Sequence, residues 1–205
     1  MRNHRTNLNT SEYWNKRFKR KGIHTEDIFL NKSYLKDIII DVKQNNLKEI
    51  SLLEIGCAFG NQLKVVKDLF SKELPDVKLD LFGVDISDEM IRLAREKLPD
   101  ITFLACDIQT FIHVNKTSFD YVISHHVIEH LDNPYEVVYY FIEHTNRLVC
   151  FEVPFEVHVD APDHVQYFFE EEFEKYDYIK KVIKYDDKTR SDWVALTFVF
   201  ECFKR

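Results

Sequence analysis

Short apolar runs alternate along the chain with longer segments in which apolar residues recur every three or four positions. The first pattern is typical of buried strands and the second of helices that pack through one face. Buried strands are predicted at 50–55, 79–85, 101–105, 119–124 and 147–153. Helices are predicted at 61–73, from the N-cap Ser87 to Leu98, and over roughly 134–145. Apolar strands that alternate with helices indicate a parallel sheet covered by helices on both faces.

The last quarter of the sequence follows a different pattern. A short acidic helix is predicted at 170–176, and strands at 178–186 and 193–203 flank the polar segment 188–192. Because so short a connection makes the two strands antiparallel, they form a hairpin. The last strand is apolar enough to lie inside the sheet. The predicted fold class is α/β, a Rossmann-like doubly wound sheet that is mostly parallel and carries an antiparallel C-terminal hairpin.

The composition predicts a soluble protein with a substantial core. Of 205 residues 45% are hydrophobic and 31% charged, and no apolar run approaches the ~20 residues of a membrane span. The four cysteines are far apart and form no C-x-x-C pair, which predicts buried free thiols in a reducing compartment. Since no secretory signal is visible, we expect a cytoplasmic protein without a membrane partner.

Charge is distributed unevenly along the chain. The net charge is −7, yet residues 1–24 hold seven Lys and Arg against Glu12. This basic segment either steers an anionic substrate or forms a solvated helix face. The acidic remainder would repel a polyanion, so no nucleic-acid partner is expected.

The turn after the first predicted strand reads E-I-G-C-A-F-G, from Glu54 to Gly60. Gly56 and Gly60 are two of only four glycines, and they let the backbone approach a ligand closely. The dinucleotide fingerprint G-x-G-x-x-G has a further glycine between them and holds a pyrophosphate, which the Glu54 carboxylate would repel. Glu54 suits instead a ligand with an ammonium group and a cationic sulfur, and S-adenosylmethionine has both.

Two further carboxylates follow strands at the same predicted edge of the sheet. Asp85 ends the second strand and precedes Ile86, and Asp107 follows the third strand and precedes Ile108. In open parallel sheets, ligands bind beyond the carboxyl ends of the strands. Asp85 can therefore accept hydrogen bonds from two ribose hydroxyls, and Asp107 can meet an adenine amino group with Ile108 beside the ring.

Three segments together resemble the class I S-adenosylmethionine-dependent methyltransferases: LLEIGCAFGNQL, LFGVDISDEMIRLAREKLPDITFLACDIQTF and FDYVISHHVIEHLDNPYE. They cover about residues 50–155 and are similar to the branch of small-molecule enzymes with a V-[IL]-E-H-[LIV] stretch after the fourth strand. The usual L-K-P-G-G turn before the fifth strand is replaced by EHTNRL.

The resemblance implies a seven-stranded sheet and a site for S-adenosylmethionine. It implies that Glu54 and the loop through Cys57 to Gly60 lie near the methionine moiety, with Asp85 and Ile86 at the ribose and Asp107 with Ile108 at the adenine. SEYWNKRF near the N-terminus is similar to a lid helix, so Trp14 either covers the cofactor or belongs to the core. The predicted division is a basic, helical lid segment at 1–48 and a methyltransferase domain at 49–205.

The acceptor side is predicted from titratable residues that follow the fourth and fifth strands. Methyl transfer to a hydroxyl needs an aligned acceptor and a group that removes a proton. His164, His125 and His126 are the candidates for this chemistry, with His164 as general base and with His125 and His126 also beside the cofactor. Glu129 and His130 are interpreted as structural. His158, Asp160 and His164 have metal-binding side chains, but no regular spacing supports a site, so no metal is predicted.

These patterns predict a methyltransferase that acts on a small polar acceptor, with O-methylation of a sugar or sugar nucleotide favoured. Three alternatives stay open: N-methylation of a small metabolite, an NAD-dependent oxidoreductase or epimerase, and a non-catalytic cofactor-binding module.

Overall fold

The computed structural model describes residues 8–21, 33–154, 163–169, 179–187 and 193–202. The strands are β1 (Glu49–Ile55), β2 (Lys78–Asp85), β3 (Thr102–Ala105), β4 (Phe119–His125), β5 (Thr145–Pro154), β6 (Ile179–Asp187) and β7 (Trp193–Glu201). The helices are α1 (Ser11–Lys21), α2 (Ser33–Gln44), α3 (Asn61–Glu73), α4 (Asp88–Lys97), α5 (Ile108–Val114) and α6 (Pro134–His144), and a single 3₁₀ turn spans Ile128–His130.

The seven strands form one sheet in the order β3-β2-β1-β4-β5-β7-β6. Strands β1 to β5 pair in parallel, whereas β7 is antiparallel to both β5 and β6. The predicted fold class is confirmed, including the position of the last strand inside the sheet. The strand order reverses at β1 and β4, which creates a crevice at the carboxyl ends of these strands. The predicted helix 170–176 and connection 188–192 lie outside the described residues.

Two apolar clusters cover the two faces of the sheet. Val122 of β4 packs into the cluster under α5 and α6, whereas its neighbours Tyr121 and Ile123 pack into the cluster under α2, α3 and α4. This division follows from the alternation of side chains along a strand. Helix α2 thus contributes a buried stripe to the second cluster, formed by Tyr34, Leu35, Ile38, Ile39 and Val42.

Local capping fixes where the helices that border the crevice begin. The Ser87 hydroxyl accepts a hydrogen bond from the Met90 amide at 3.2 Å, which confirms Ser87 as the N-cap of α4. Asp107 caps α5 in the same manner, because its Oδ1 accepts from the amides of Gln109 and Thr110, both at 3.0 Å. Both caps place a helix N-terminus directly after a strand.

The cysteines are free, and three of them are buried: Cys57, Cys150 and Cys202. Cys106 differs from the prediction because it is only partly buried. It follows β3 at the edge of the sheet, where its side chain reaches a cavity. Among the described residues, no helix is long and apolar enough to cross a membrane.

Candidate functional site

A cavity of about 230 Å³ lies at the carboxyl ends of β1, β2 and β4, where the strand order reverses. Its floor is formed by residues that follow these strands and β3, and Asn9, Trp14 and Phe18 close it from the N-terminal side. Eight of the predicted site residues line it: Trp14, Gly56, Asp85, Ile86, Asp107, Ile108, His125 and His126. The sequence therefore located the main part of this crevice.

The glycine loop is shaped by close backbone packing. Gly56 has φ +70°, and a Cβ placed there would lie 2.1 Å from Cγ2 of Val127, which itself lines the cavity. The amides of Gly56 and Cys57 both donate to the Val84 carbonyl, at 2.8 and 3.1 Å. Gly60 also has a positive φ, +72°, and begins α3. The loop thus needs glycine for its conformation and for its contact with Val127.

The carboxylate of Asp85 is held in a fixed orientation in the cavity wall. Its Oδ2 accepts the amide of Ala58 at 2.9 Å, and its Oδ1 accepts the amide of Ser87 at 2.8 Å. Withdrawal from bulk water raises the pKa of Asp85, and the two amide hydrogen bonds only partly offset this effect. Each oxygen keeps a second lone pair for a ligand hydroxyl.

Asp107 has two tasks in this geometry. Its Oδ1 caps α5, while the residue as a whole lines the cavity beside the buried Ile108. The helix cap was not foreseen, since an acidic residue after a strand was interpreted only as a ligand contact.

Glu54, Cys57 and Gly60 are placed behind the cavity wall and do not line it in the described structure. Glu54 is 3% exposed, and its Oε1 lies 3.7 Å from Nδ1 of His125, which does line the cavity. The other ring nitrogen of His125, Nε2, is hydrogen-bonded to the hydroxyl of Tyr34. Glu54 therefore acts on the cavity through His125 in this geometry.

A second group of buried polar side chains lies at the end of the cavity formed by β4 and the 3₁₀ turn. His126, at φ +53°, lies between two carboxylates: Nδ1 is 3.4 Å from Oε1 of Glu129, and Nε2 is 3.6 Å from Oε1 of Glu152. Burial raises the pKa of Glu129, but His126 and His130 outweigh this effect and hold it below its ordinary value. The group combines imidazoles with carboxylates that are almost inaccessible to water.

His164 joins this group from the segment 163–169. Its ring centroid lies 4.9 Å from that of His130, and the amides of Val165 and Gln166 donate to the Glu129 carbonyl at 2.9 and 3.0 Å. Burial lowers the pKa of His164, which favours the neutral imidazole. His164 does not line the cavity itself; His130 separates the two. His158 and Asp160 lie outside the described residues.

The positions of Glu129 and His130 relative to the cavity could not be predicted from the sequence. They were interpreted as structural, yet His130 lines the cavity and stands between Trp14 and His164, 4.9 Å from each ring. Residues 126–130 contact residues 163–164 in the folded structure. No spacing in the sequence predicts this contact.

Helix α1 covers the cavity and is fastened at both sides. The side chain of Asn15 donates to Asp88 at 2.8 Å and accepts from the Ser87 hydroxyl at 2.6 Å. On the opposite side Arg17 pairs with Asp163 at 3.0 Å and lies over the Trp14 ring. Helix α1 thus contacts both the Asp85 region and the histidine group.

Comparison with known proteins shows which domain this site resembles. Residues 53–141 match a family described as "Methyltransferase domain". Over 77 residues the chain is 30% identical to trans-aconitate 2-methyltransferase from Afipia carboxidovorans. That segment is 38% of this chain and 27% of the relative, so the match spans about a quarter of the curated protein.

Solved structures extend the similarity of the fold to nearly the whole chain. Magnesium protoporphyrin IX methyltransferase from Synechocystis PCC 6803, solved with SAH bound, superposes with a TM-score of 0.63 at 12% identity and covers 97% of this chain and 98% of its own. The plantazolicin methyltransferase BpumL, also with SAH, gives 0.60 at 16% identity over 92% and 90%. The [4+2]-cyclase SpnF gives 0.60 at 10% identity over 82% and 79%, so the fold alone does not define the reaction.

The matched segment contains the glycine loop, Asp85, Asp107 and the histidines after β4, which border the point where the strand order reverses. Residues 53–141 thus resemble a methyltransferase domain, and the chain shares its fold with solved structures of methyltransferases.

Proposed function

We propose that the protein transfers a methyl group from S-adenosylmethionine to an oxygen atom of a small polar acceptor. The observation that carries the proposal is a single cavity with carboxylates fixed beside β2 and β3 at one end and imidazoles after β4 at the other. The first end suits a nucleoside and the second an acceptor that must lose a proton.

For the cofactor, we propose contacts that follow the order of the strands. Asp85, fixed by two amides, accepts hydrogen bonds from the ribose hydroxyls with Ile86 beside it, and Asp107 and Ile108 receive the adenine. Gly56, Cys57 and Gly60 shape the loop at the methionine moiety, where Glu54 and His125 supply negative charge and a hydrogen-bonding ring. Trp14 closes the cavity above.

For the acceptor, we propose that His125, His126 and His164 form the catalytic group. His125 and His126 line the cavity, and the carboxylates of Glu129 and Glu152 beside His126 stabilise an imidazolium formed on proton uptake. His164 contributes from behind His130. The protein's main tasks are alignment and proton removal, since the positive sulfur already activates the methyl carbon.

Among oxygen acceptors, a sugar or sugar nucleotide stays the favoured proposal. It is supported by the basic composition of α1, the helix whose Trp14 and Phe18 line the cavity. The relative and the structural neighbours are named for a carboxylic acid, a porphyrin and a peptide natural product, so the acceptor class needs direct measurement.

The test has two steps. Calorimetric titration should show that S-adenosylhomocysteine binds and that NAD does not. The protein is then incubated with S-adenosylmethionine and sugars, sugar nucleotides, carboxylic acids and amines, and the products are analysed by mass spectrometry. A product heavier by one methyl group on oxygen is expected, and His126→Gln should lower kcat while the exposed His144→Gln should not.

Each other outcome selects one of the alternatives. Methylation on nitrogen would replace the oxygen acceptor by an amine. Binding of NAD in place of S-adenosylhomocysteine would favour an oxidoreductase or epimerase. Cofactor binding without a product in any acceptor class would favour a non-catalytic module.

A further inference from the structure

We propose that Glu129, His130 and His164 bind a divalent transition-metal ion at the acceptor end of the cavity. One side-chain atom from each residue can serve as ligand, and these three atoms lie within 4.8 Å of one another. All three residues are buried. The set differs from the one considered from the sequence, because it joins the 3₁₀ turn after β4 to the segment 163–169.

The carboxylate of Glu129 is the first independent observation. The residue is 1% exposed, and within the described part of the chain neither carboxylate oxygen has a partner with good hydrogen-bond geometry. The nearest ring nitrogens, Nδ1 of His126 and Nε2 of His130, lie 3.4 and 3.8 Å from Oε1. A buried carboxylate is costly unless hydrogen bonds, a cation or a metal ion satisfy it.

The orientation of His130 is the second observation. Its Nδ1 lies 2.9 Å from the Asp163 carbonyl oxygen, which can only accept, so Nδ1 carries the proton. In the neutral ring, Nε2 then directs a lone pair towards Oε1 of Glu129. Two electron-rich atoms at 3.8 Å are satisfied by a cation that they share, either a proton on Nε2 or a metal ion bound to both. A fixed Nδ1–H is also the usual arrangement of a metal-binding histidine.

The chemistry of the three residues selects the class of metal. Two imidazoles and one carboxylate suit Zn²⁺, Fe²⁺ or Co²⁺ better than Ca²⁺ or Mg²⁺, which favour oxygen ligands. Ligands about 2.1 Å from one ion lie roughly 3 to 3.5 Å apart. Small side-chain rotations that bring the three groups closer therefore complete the site.

Three protein ligands leave a coordination position open. Because His130 lines the cavity, the open position faces the space assigned to the acceptor. This step rests on the proposed function: it makes the acceptor a molecule that offers a hydroxyl or carboxylate oxygen to the metal. The binding of the metal itself does not depend on methyl transfer.

The experiment titrates Co²⁺ into protein that has been freed of metal by chelation and of any purification tag. We expect one equivalent to bind with visible ligand-field absorption, and Zn²⁺ to displace it. Glu129→Gln and His164→Gln each remove one ligand and should weaken Co²⁺ binding at least tenfold, about the minimum seen for loss of a group that supports a metal site. The control His113→Gln changes an exposed histidine of α5 and should bind Co²⁺ as the original protein does.

Absence of Co²⁺ binding by the original protein would overturn the proposal. The proposal would also be overturned if E129Q and H164Q bound Co²⁺ as tightly as the original protein. If E129Q does not fold, H164Q keeps the test decisive because residue 164 lies outside the helices and strands. The Co²⁺ titration contains neither cofactor nor acceptor, so a negative result leaves the methyltransferase proposal intact. Conversely, if the protein binds Co²⁺ at these residues but methylates no acceptor, the metal site stands and the methyltransferase proposal fails.

Discussion

At the scale of single residues, the glycine loop shows how tightly the backbone is constrained. Gly56 combines φ +70° with the 2.1 Å approach to Val127 that any Cβ would make. An L-residue pays about 1–2 kcal/mol for the left-handed conformation alone. The methyl group would in addition push Val127 into the cavity. Stability and ligand binding therefore depend on the same missing side chain.

Gly56→Ala should lower the free energy of unfolding by about 2–4 kcal/mol, because backbone strain and the clash with Val127 add to each other. Urea denaturation measures this change, and titration with S-adenosylhomocysteine should show weaker binding. Ala58→Gly is the matched control in the same loop, since Ala58 already has φ +44°. It should alter stability by less than about 1 kcal/mol. Equal effects of the two substitutions would contradict the strain argument.

The proposed contact between Asp85 and the ribose predicts that cofactor affinity depends on pH. Only the ionised carboxylate can accept hydrogen bonds from two hydroxyls while Ala58 and Ser87 also donate to it. Its raised pKa means that protonation begins at a higher pH than for an ordinary aspartate. Affinity is therefore complete above this pKa and is lost as the pH falls through it.

Calorimetric titration of S-adenosylhomocysteine at a series of pH values should show this loss, which approaches about tenfold per pH unit below the pKa. Asp85→Asn should bind weakly and with a flatter pH profile, because it has no carboxylate to titrate. Unchanged affinity in this variant would refute the assignment of Asp85 to the ribose.

Some residues around the cavity could be predicted from the sequence, and the contacts of others could not. Asp85 and Gly56 could be identified because strand ends and glycines are visible in the sequence. The tertiary partners of Glu54 and Glu129 could not, since His125 shields the first and His164 reaches the second from a distant segment. Burial and pairing depend on which segments meet in space, and apolar periodicity carries no such information.

At the scale of elements, α1 acts as a cover with two attachments. Asn15 holds it to the start of α4, and Arg17 holds it to Asp163, whose carbonyl positions His130. Trp14 and Phe18 lie between these attachments and form part of the cavity wall. A ligand in the cavity would therefore contact α1, and we expect this contact to slow the release of the ligand.

Trp14→Ala should speed the dissociation of S-adenosylhomocysteine roughly tenfold, which corresponds to a loss of about 1.4 kcal/mol of contact. A chase experiment with labelled ligand measures the rate. Lys16→Ala changes an exposed neighbour that pairs only with Glu12 among the described residues, and it should leave the rate unchanged. A Trp14→Ala rate equal to that of the Lys16 variant would show that α1 does not retain the ligand.

The helices differ in how visible they were in the sequence. Helices α3, α4 and α6 were predicted because their apolar residues recur at helical spacing over several turns. Helix α5 is short, and its N-cap Asp107 resembled a ligand-binding residue, so it was missed. The lid helix was found only through the resemblance to a family, since its own sequence is largely polar.

At the scale of the whole molecule, the sheet unites the two apolar clusters and creates the crevice. Its parallel half was predictable from apolar runs separated by helices, and the antiparallel half from the short connection at 188–192. The insertion of β7 between β5 and β6 follows from its apolar character, because a strand flanked on both sides is shielded from water. The burial of the apolar side chains of β7 therefore favours its pairing with both β5 and β6.

The inserted strand also sets an order of events during synthesis. Strands β1 to β5 lie in the first 154 residues, whereas β7, the last strand along the chain, must pair with β5 before the sheet is complete. Until residues 193–201 leave the ribosome, β5 presents an unpaired and largely apolar edge, which is a template for wrong pairing. The late strand therefore leaves β5 open to wrong pairing until β7 has been synthesised and pairs with it.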